Sequence, residues 1–190
     1  AARPAATGVG VSPPDESRRA GADATAPVVY EAAKRIAADG APADRRLLAA
    51  RTDVRPEILY YLAEDADADV RRAVAGNPAT PVHAGPLLAG DRDEAVRCAL
   101  ADRFARILPQ LGAGDDGKAA RIAAEVVERL ARDQLPRVRR VLAEALKHAA
   151  GVPPHVVRLL APDDDAPVAA PVLEFSPLLD DATLIEIVAG

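Results

Sequence analysis

The stretch LAEDADADVRRAVAGNPATP, residues 62–81, decides the fold because its internal spacing recurs along the chain. Counted from its first leucine, an aspartate follows after three positions and a valine after eight, and an apolar pair begins four positions after the valine. The same spacing starts at Leu88, Leu130 and Leu160. Self-similarity at fixed internal spacing is the signature of helical repeat proteins. The sequence therefore predicts an all-α fold, an α-solenoid of antiparallel helix pairs.

The connections between these units vary in length although the spacing inside each unit is constant. The four valines are separated by 26, 42 and 30 residues, which is how loops behave in helical repeats. An offset of 26 also aligns the segment 45–49 with the segment 71–75, which indicates a degenerate leading repeat. The predicted organisation is a flexible tail at 1–26 and a repeat domain at 27–190, divided into a leading repeat 27–55, short repeats 56–110, longer HEAT-like pairs 117–176 and a final unpaired helix 177–190.

Helix boundaries follow from proline and from capping residues. Proline loses no hydrogen bond at the first helical position, so Pro56 and Pro136 are expected to start helices. Asp67 is expected to be the N-cap of the second helix in its unit, because its carboxylate can accept a first-turn amide. Pro109 and the glycine-rich loop 111–117 are expected to end the long helix after Val96, and Pro171 is expected to bend a helix or to delay its start.

Composition narrows the possible classes of protein. The chain is 49% apolar but only 3% aromatic, which suits a stack of closely packed helices. Its net charge of −5 argues against a general nucleic-acid binder. Cys98 is the only cysteine, which rules out a disulfide within the chain. No apolar run has the length of roughly 20 residues that a membrane span requires, and we expect a cytoplasmic protein.

Two parts of the chain resemble known repeat families. The run VRRAVAGNPATP at 70–81, followed by LAGDRDEAVR at 88–97, resembles the leucine-rich repeat variant. The segments 130–146 and 159–188 are similar to HEAT-type units, and the last of them resembles a proteobacterial family of HEAT-like proteins of unknown function. The resemblance covers residues 44–190 and implies an α-solenoid with no assigned activity. Some leucine-rich repeat variant proteins carry an iron–sulfur cluster, which would need more cysteines than Cys98.

Helical geometry predicts which residues face away from the core. With the valine inward and about 100° of rotation per residue, the positions two and six later point outward. This candidate interaction ridge consists of Arg72, Cys98, Asp102, Arg140, Glu144 and Glu174. The ridge is mixed in charge, and its spacing predicts an i,i+4 ion pair between Arg140 and Glu144.

Arginines directly after three of the valines form a second column, which has two interpretations. They lie beside the core direction, where they could reach the loop aspartates, and this structural ladder is the favoured interpretation. The other is a contact with a ligand. The predicted ladder consists of Asp65, Arg71, Asp91, Arg97, Asp133 and Arg139.

The sequence offers few candidates for chemistry. His83, His148 and His155 lie on different predicted helices without metal-ligand spacing. Cys98 has Arg97 beside it, and a nearby cation could lower the pKa of a thiol, although a passive surface thiol is the favoured interpretation. No catalytic, cofactor-binding or metal-binding residue is predicted.

Two classes of function remain. The favoured class is a non-enzymatic protein–protein interaction scaffold with an unidentified protein partner, because a solenoid offers an extended surface. The alternative is a nucleic-acid-binding HEAT-like protein, or a base-processing enzyme, that uses the arginine column. Few aromatics for base stacking and the mixed ridge weigh against this alternative.

The final predicted helix carries more apolar residues than one narrow stripe holds, and Leu178, Leu184 and Ile185 are among them. We expect this C-terminal edge to be covered by further repeats or by a second copy of the chain.

Overall fold

The computed structural model describes residues 29–111, 117–149, 152–182 and 184–185. Within these ranges the protein is all-helical and contains no strand. The helices are α1 Tyr30–Asp39, α2 Pro42–Ala50, α3 Pro56–Leu62, α4 Ala68–Gly76, a 3₁₀ helix Val82–Ala84, α5 Gly85–Leu88, α6 Glu94–Leu111, α7 Gly117–Ala131, α8 Pro136–Leu146, α9 Pro154–Leu160 and α10 Ala166–Phe175. The predicted tail at 1–26 and residues 186–190 of the predicted final helix lie outside the described residues.

Proline and aspartate set most of the helix starts as predicted. Pro56 and Pro136 occupy the first helical positions of α3 and α8. Asp67 is the N-cap of α4, and its side chain accepts the amides of Asp69 and Val70. That prediction is confirmed.

Two of the described helices contain a proline in their interior. Helix α6 runs through Pro109 and ends at Leu111, where the predicted loop begins, and α10 contains Pro171, so of the two alternatives for this proline the delayed start is excluded. Proline removes one hydrogen bond to the preceding turn. In α6 that loss falls in the last turn, where the helix loses little by it.

The repeated leucine and valine positions form the core. Val70, Val96, Val138 and Val168 are all fully buried, and Leu62, Leu88, Leu130 and Leu160 are at most 1% exposed. One cluster of buried apolar side chains runs from Ala33 to Val172. Leu173 departs from the pattern and is 38% exposed, although α10 packs against both α8 and α9.

Packing joins helices that are close in sequence. Helices α2, α4, α6, α8 and α10 each contact the next one in that series. On the other side α1 contacts α3, α7 contacts α5 and the 3₁₀ helix, and α9 contacts α7. The two helices within each unit also contact one another. Each unit therefore contributes one helix to each of two series.

Three buried polar side chains tie α2, α4 and α6 together, and sequence reasoning missed all three. The Asn77 side chain donates to the carbonyl oxygens of Ala49 and Arg51, both at 2.7 Å. The Thr80 hydroxyl donates to the Val74 carbonyl, and Arg103 donates through Nη2 to the Thr80 carbonyl. Arg103 is 2% exposed, and its Nε and Nη1 have no partner among the described residues. Burial accordingly lowers the pKa of Arg103 to about 10.

Candidate interaction groove

Four loop aspartates close the turn between the two helices of their units in the same way. One carboxylate oxygen of each accepts the backbone N–H two residues later, at 2.9 Å. The aspartates are Asp65, Asp91, Asp133 and Asp163. A side-chain oxygen that accepts a hydrogen bond from this amide takes the place of the backbone carbonyl oxygen in an ordinary turn. The repeated aspartate therefore fixes the shape of each loop.

An arginine from the preceding unit forms an ion pair with each of these carboxylates. The Arg71 guanidinium donates through Nε and Nη2 to the two carboxylate oxygens of Asp91, at 2.6 and 3.0 Å. Its Nη1 donates to the carbonyl oxygen of Asp65 in its own unit, at 2.7 Å. One guanidinium thus joins the loop of its own unit to the loop of the next. Both side chains are only 7% exposed.

We call this arginine–aspartate ion pair between neighbouring units a rung. It occurs four times, with an Nε–Oδ2 distance of 2.6 Å in each: Arg45–Asp65, Arg71–Asp91, Arg97–Asp133 and Arg139–Asp163. In the last two rungs the arginine Nη1 also donates to the carbonyl of its own unit's aspartate. Arg45 donates instead to the Gly40 carbonyl. All six residues of the predicted ladder lie in these rungs, each arginine pairing with the aspartate of the following unit. The prediction omitted Arg45 and Asp163, although the offset of 26 and the aspartate column contained the signal for both.

Rung formation lowers the pKa of three aspartates, Asp65, Asp91 and Asp163, and so favours their ionised form. For Asp91, burial by itself would raise the pKa, but hydrogen bonds from Arg71 and from the Asp93 amide outweigh it, and the pKa lies below its ordinary value. The Asp65 carboxyl follows the same balance. For Asp163 the hydrogen bond from Arg139 is the largest influence, and its pKa is also lowered.

These pKa shifts predict a loss of stability in acid. A carboxyl whose pKa is lower in the folded state adds stability above its unfolded pKa and loses it as the pH falls towards its folded pKa. We expect the rung contribution to the unfolding free energy to be constant above about pH 5 and to decline below about pH 4. Urea unfolding at several pH values measures this. An Arg71→Leu, Asp91→Asn variant should show a shallower decline, and an equal slope would contradict the assignment.

The predicted ridge residues are engaged mainly by near neighbours. Arg72 pairs with Asp69, and Asp102 with Arg106, at 2.9 and 2.7 Å. The predicted pair between Arg140 and Glu144 is not the one formed. Arg140 reaches Asp165 at 3.3 Å, because the loop of the next unit lies beside α8, and Glu144 accepts from Lys147. Glu174 is exposed on α10. Exposed pairs of this kind contribute little to stability.

Cys98 does not lie on an open ridge. It is half-buried and packs against the core, because α6 is flanked by both α4 and α8. Burial raises the pKa of the Cys98 thiol, and the nearby Arg137 and Arg97 do not offset it. The idea that Arg97 activates this thiol is therefore wrong.

A raised pKa and partial burial predict a slow thiol. We expect Cys98 to react with an aromatic disulfide reagent at neutral pH more slowly than a small free thiol does, because little thiolate is present and access is restricted. The rate should rise sharply in denaturant. Stopped-flow absorbance measures both rates, and an unchanged rate on unfolding would contradict this account.

Three adjoining cavities follow the rungs along the loop edge. The first, about 310 Å³, lies between α1 and the loop after α3 and includes Arg45 and Asp65 in its lining. The second, about 410 Å³, includes Arg71 and Asp91, and the third, about 470 Å³, includes Arg97 and Asp133. Neighbouring cavities share loop residues, namely 64–66 and then 90–92. We call this series the loop groove.

The loop groove is lined by charged, polar and apolar residues, and its charges are of both signs. Its rung arginines are engaged by carboxylates, so the arginine column does not present a free row of positive charge. Within the described ranges no group of three or more His, Cys, Asp or Glu side chains is placed to hold a metal ion. Within those ranges, too, no helix has both the length and the apolar character to cross a membrane.

Comparison with family models, curated proteins and solved structures finds no match for the chain.

Proposed function

We propose that the chain is a non-enzymatic protein–protein interaction scaffold, an α-solenoid of antiparallel helix pairs with HEAT-like and leucine-rich-repeat-variant-like units. The observation that carries this proposal is the rung, which joins five successive units through four identical arginine–aspartate pairs. A contact that repeats from each unit to the next is what a solenoid requires. In this proposal the protein acts in the cytoplasm.

The contacts between helices support the same arrangement. Helices α2, α4, α6, α8 and α10 contact one another in sequence order, and in the other series α1 contacts α3 while α7 contacts both α5 and α9. In a solenoid, stability is a sum of terms within units and between neighbouring units. The destabilising effect of a substitution at one end should therefore decrease with distance along the chain.

Hydrogen exchange on a Val168→Asp variant tests the arrangement. Val168 is fully buried in α10, so a charge there should open α9 and α10. We expect amide protection to be lost in those helices, reduced in α8 and retained in α2–α4. A uniform loss across the described helices would indicate one cooperative globule and contradict the solenoid.

A protein partner suits the loop groove better than a nucleic acid does. Phosphate tracking needs uncompensated positive charge along a continuous path, whereas the rung arginines are each held by an aspartate. The acidic Glu64 also contributes to the first two cavities. A groove lined by polar, apolar and charged side chains together is typical of peptide and protein recognition.

Blocking the loop groove without changing charge tests the function. Ala66 is exposed and lines the first two cavities, so Ala66→Trp should fill them. Ala50→Trp, at an exposed site on α2 outside the cavity linings, is the matched control. Affinity capture from the native cell would identify candidates, and each candidate would then be purified and titrated by calorimetry. We expect binding to the native chain and the control but not to Ala66→Trp, and equal binding to all three would contradict a groove partner.

Self-association through the C-terminal edge is a second proposal. Large apolar side chains are exposed there, with Leu173 at 38%, Phe175 at 48% and Ile185 at 67%. Light scattering at several concentrations tests it, with Leu173→Glu, Ile185→Glu as the variant expected to be monomeric. A native chain that is monomeric at every concentration would contradict the proposal.

A further inference from the structure

The third cavity of the loop groove contains arginines that the rungs do not use. Arg92, Arg129 and Arg132 line it together with the rung pair Arg97–Asp133. Arg132 is paired with Glu128 on α7. Neither Arg92 nor Arg129 forms an ion pair with any described residue, and Arg129 makes only a long bond, 3.4 Å, to the Pro86 carbonyl. Two guanidinium groups with unused donors therefore face one concave surface.

Gly90 allows one of these groups to lie against the backbone. A Cβ atom at this position would stand 2.7 Å from Nη2 of Arg129, closer than van der Waals contact permits. The loop 89–92 and helix α7 can therefore approach each other with the guanidinium between them. The Arg129 guanidinium therefore lies against Gly90 in the wall of the third cavity, which Arg92 also lines.

Charge changes sign along the loop groove. In the first cavity Glu64 lies beside the compensated rung Arg45–Asp65, which leaves that end acidic. In the third cavity Arg92 and Arg129 add positive charge to a compensated rung. A uniformly charged polymer would be attracted at one end of the groove and repelled at the other.

Apolar side chains flank the positive end. Leu87 lines the second cavity and is 40% exposed, and Leu135 lines the third and is 38% exposed. Among the described residues, no aromatic side chain lines the third cavity, and aromatic side chains are the stacking surface that single-stranded nucleic acids use. Leu87 shares the second cavity with Arg92, and Leu135 shares the third with Arg92 and Arg129, so both leucines are available to apolar residues that flank a charged one.

We propose that the third cavity binds a carboxylate side chain of an extended acidic peptide, with Arg92 and Arg129 as its donors and with flanking apolar residues against Leu87 and Leu135. This inference rests on the proposed scaffold function and specifies its partner chemistry. A guanidinium presents paired N–H donors whose geometry matches the two oxygens of a carboxylate. Since both arginines are exposed, the peptide carboxylate completes hydrogen bonds that water otherwise supplies.

Selection from a random linear-peptide library on the purified full chain tests this inference. We expect enriched peptides to carry an acidic residue between apolar residues. The leading synthetic peptide would be labelled and titrated by fluorescence anisotropy. Arg92→Glu, Arg129→Glu should weaken its binding by about tenfold or more. Arg46→Glu, Arg158→Glu, which changes net charge equally at exposed sites outside the described cavities, should bind as the native chain does.

A second variant and two competitors sharpen the result. Arg92→Gln, Arg129→Gln keeps size without charge and should also weaken binding, and circular dichroism would verify that each variant is folded. Peptides without acidic residues, or binding unaffected by either variant, would overturn this inference but leave the scaffold standing. Tighter binding of a matched phosphopeptide or of a single-stranded oligonucleotide would overturn the carboxylate assignment. If no peptide is selected at all, both this inference and the peptide-binding form of the scaffold fail.

Discussion

Replacing Val138 by aspartate should abolish most of the chain's stability. Val138 is fully buried in α8, and α8 contacts α6, α7 and α10. An unpaired carboxylate at this point has no partner and no water, and we expect the unfolding free energy to fall by about 4 kcal/mol or more. Urea unfolding monitored by circular dichroism measures the change.

Val29→Asp is the matched control for this substitution. Val29 is 71% exposed and occupies the N-cap position of α1. An aspartate there can accept a first-turn amide, so we expect no loss and a gain of up to about 1 kcal/mol. A loss below about 1 kcal/mol for Val138→Asp would mean that α8 can rotate or shift to expose this position, which would contradict the packing described above.

Breaking one rung should have the next largest effect. Arg71→Leu removes the partner of a nearly buried carboxylate and the donor to the Asp65 carbonyl. Loss of one member of a buried ion pair typically costs about 3–5 kcal/mol, and since this pair lies near the loop surface we expect about 3 kcal/mol. Thermal and urea unfolding would measure the loss. Arg139→Ala, whose rung lies outside the three cavities of the loop groove, should likewise lower stability while leaving the affinity of the folded fraction for any ligand nearly intact.

A double variant separates the loss of the ion pair from the cost of leaving its carboxylate unpaired. Asp91→Asn keeps an oxygen for the Asp93 amide but removes the charge, so Arg71→Leu, Asp91→Asn should be more stable than Arg71→Leu alone. Arg72→Leu, which removes an exposed pair on the same helix, should change the unfolding free energy by less than about 1 kcal/mol. If Arg71→Leu lowers the unfolding free energy no more than Arg72→Leu does, the rung contributes no more to stability than an exposed surface pair.

The helices and their buried faces could be predicted because they depend on local rules. A fixed spacing between leucine and valine placed both columns inward, and Val96 and Val138 are buried as that spacing requires. Capping by Asp67 followed from the chemistry of one side chain. The end of α6 at Leu111 likewise followed from Pro109 and the glycine-rich loop after it.

The rungs and the loop groove were harder to predict because they join distant residues. Arg97 and Asp133 are 36 positions apart, whereas Arg71 and Asp91 are 20 apart, so no fixed sequence spacing identifies the partners. The buried Arg103 was hidden for the same reason, since its bond to Thr80 depends on how α6 crosses the loop after α4. Cys98 was misplaced because helical rotation alone ignores the helices on either side.

The rungs also have a direction, since in each of them the arginine of one unit pairs with the aspartate of the following unit. A head-to-tail contact of this kind can propagate from molecule to molecule into an open filament. Asp39, 26 positions before Asp65, occupies the receiving position of the first unit, while Ala169 stands where the fifth unit would carry its arginine. Because the Ala169 side chain has no hydrogen-bond donor, the fifth unit cannot form a rung of this kind with Asp39 of another copy.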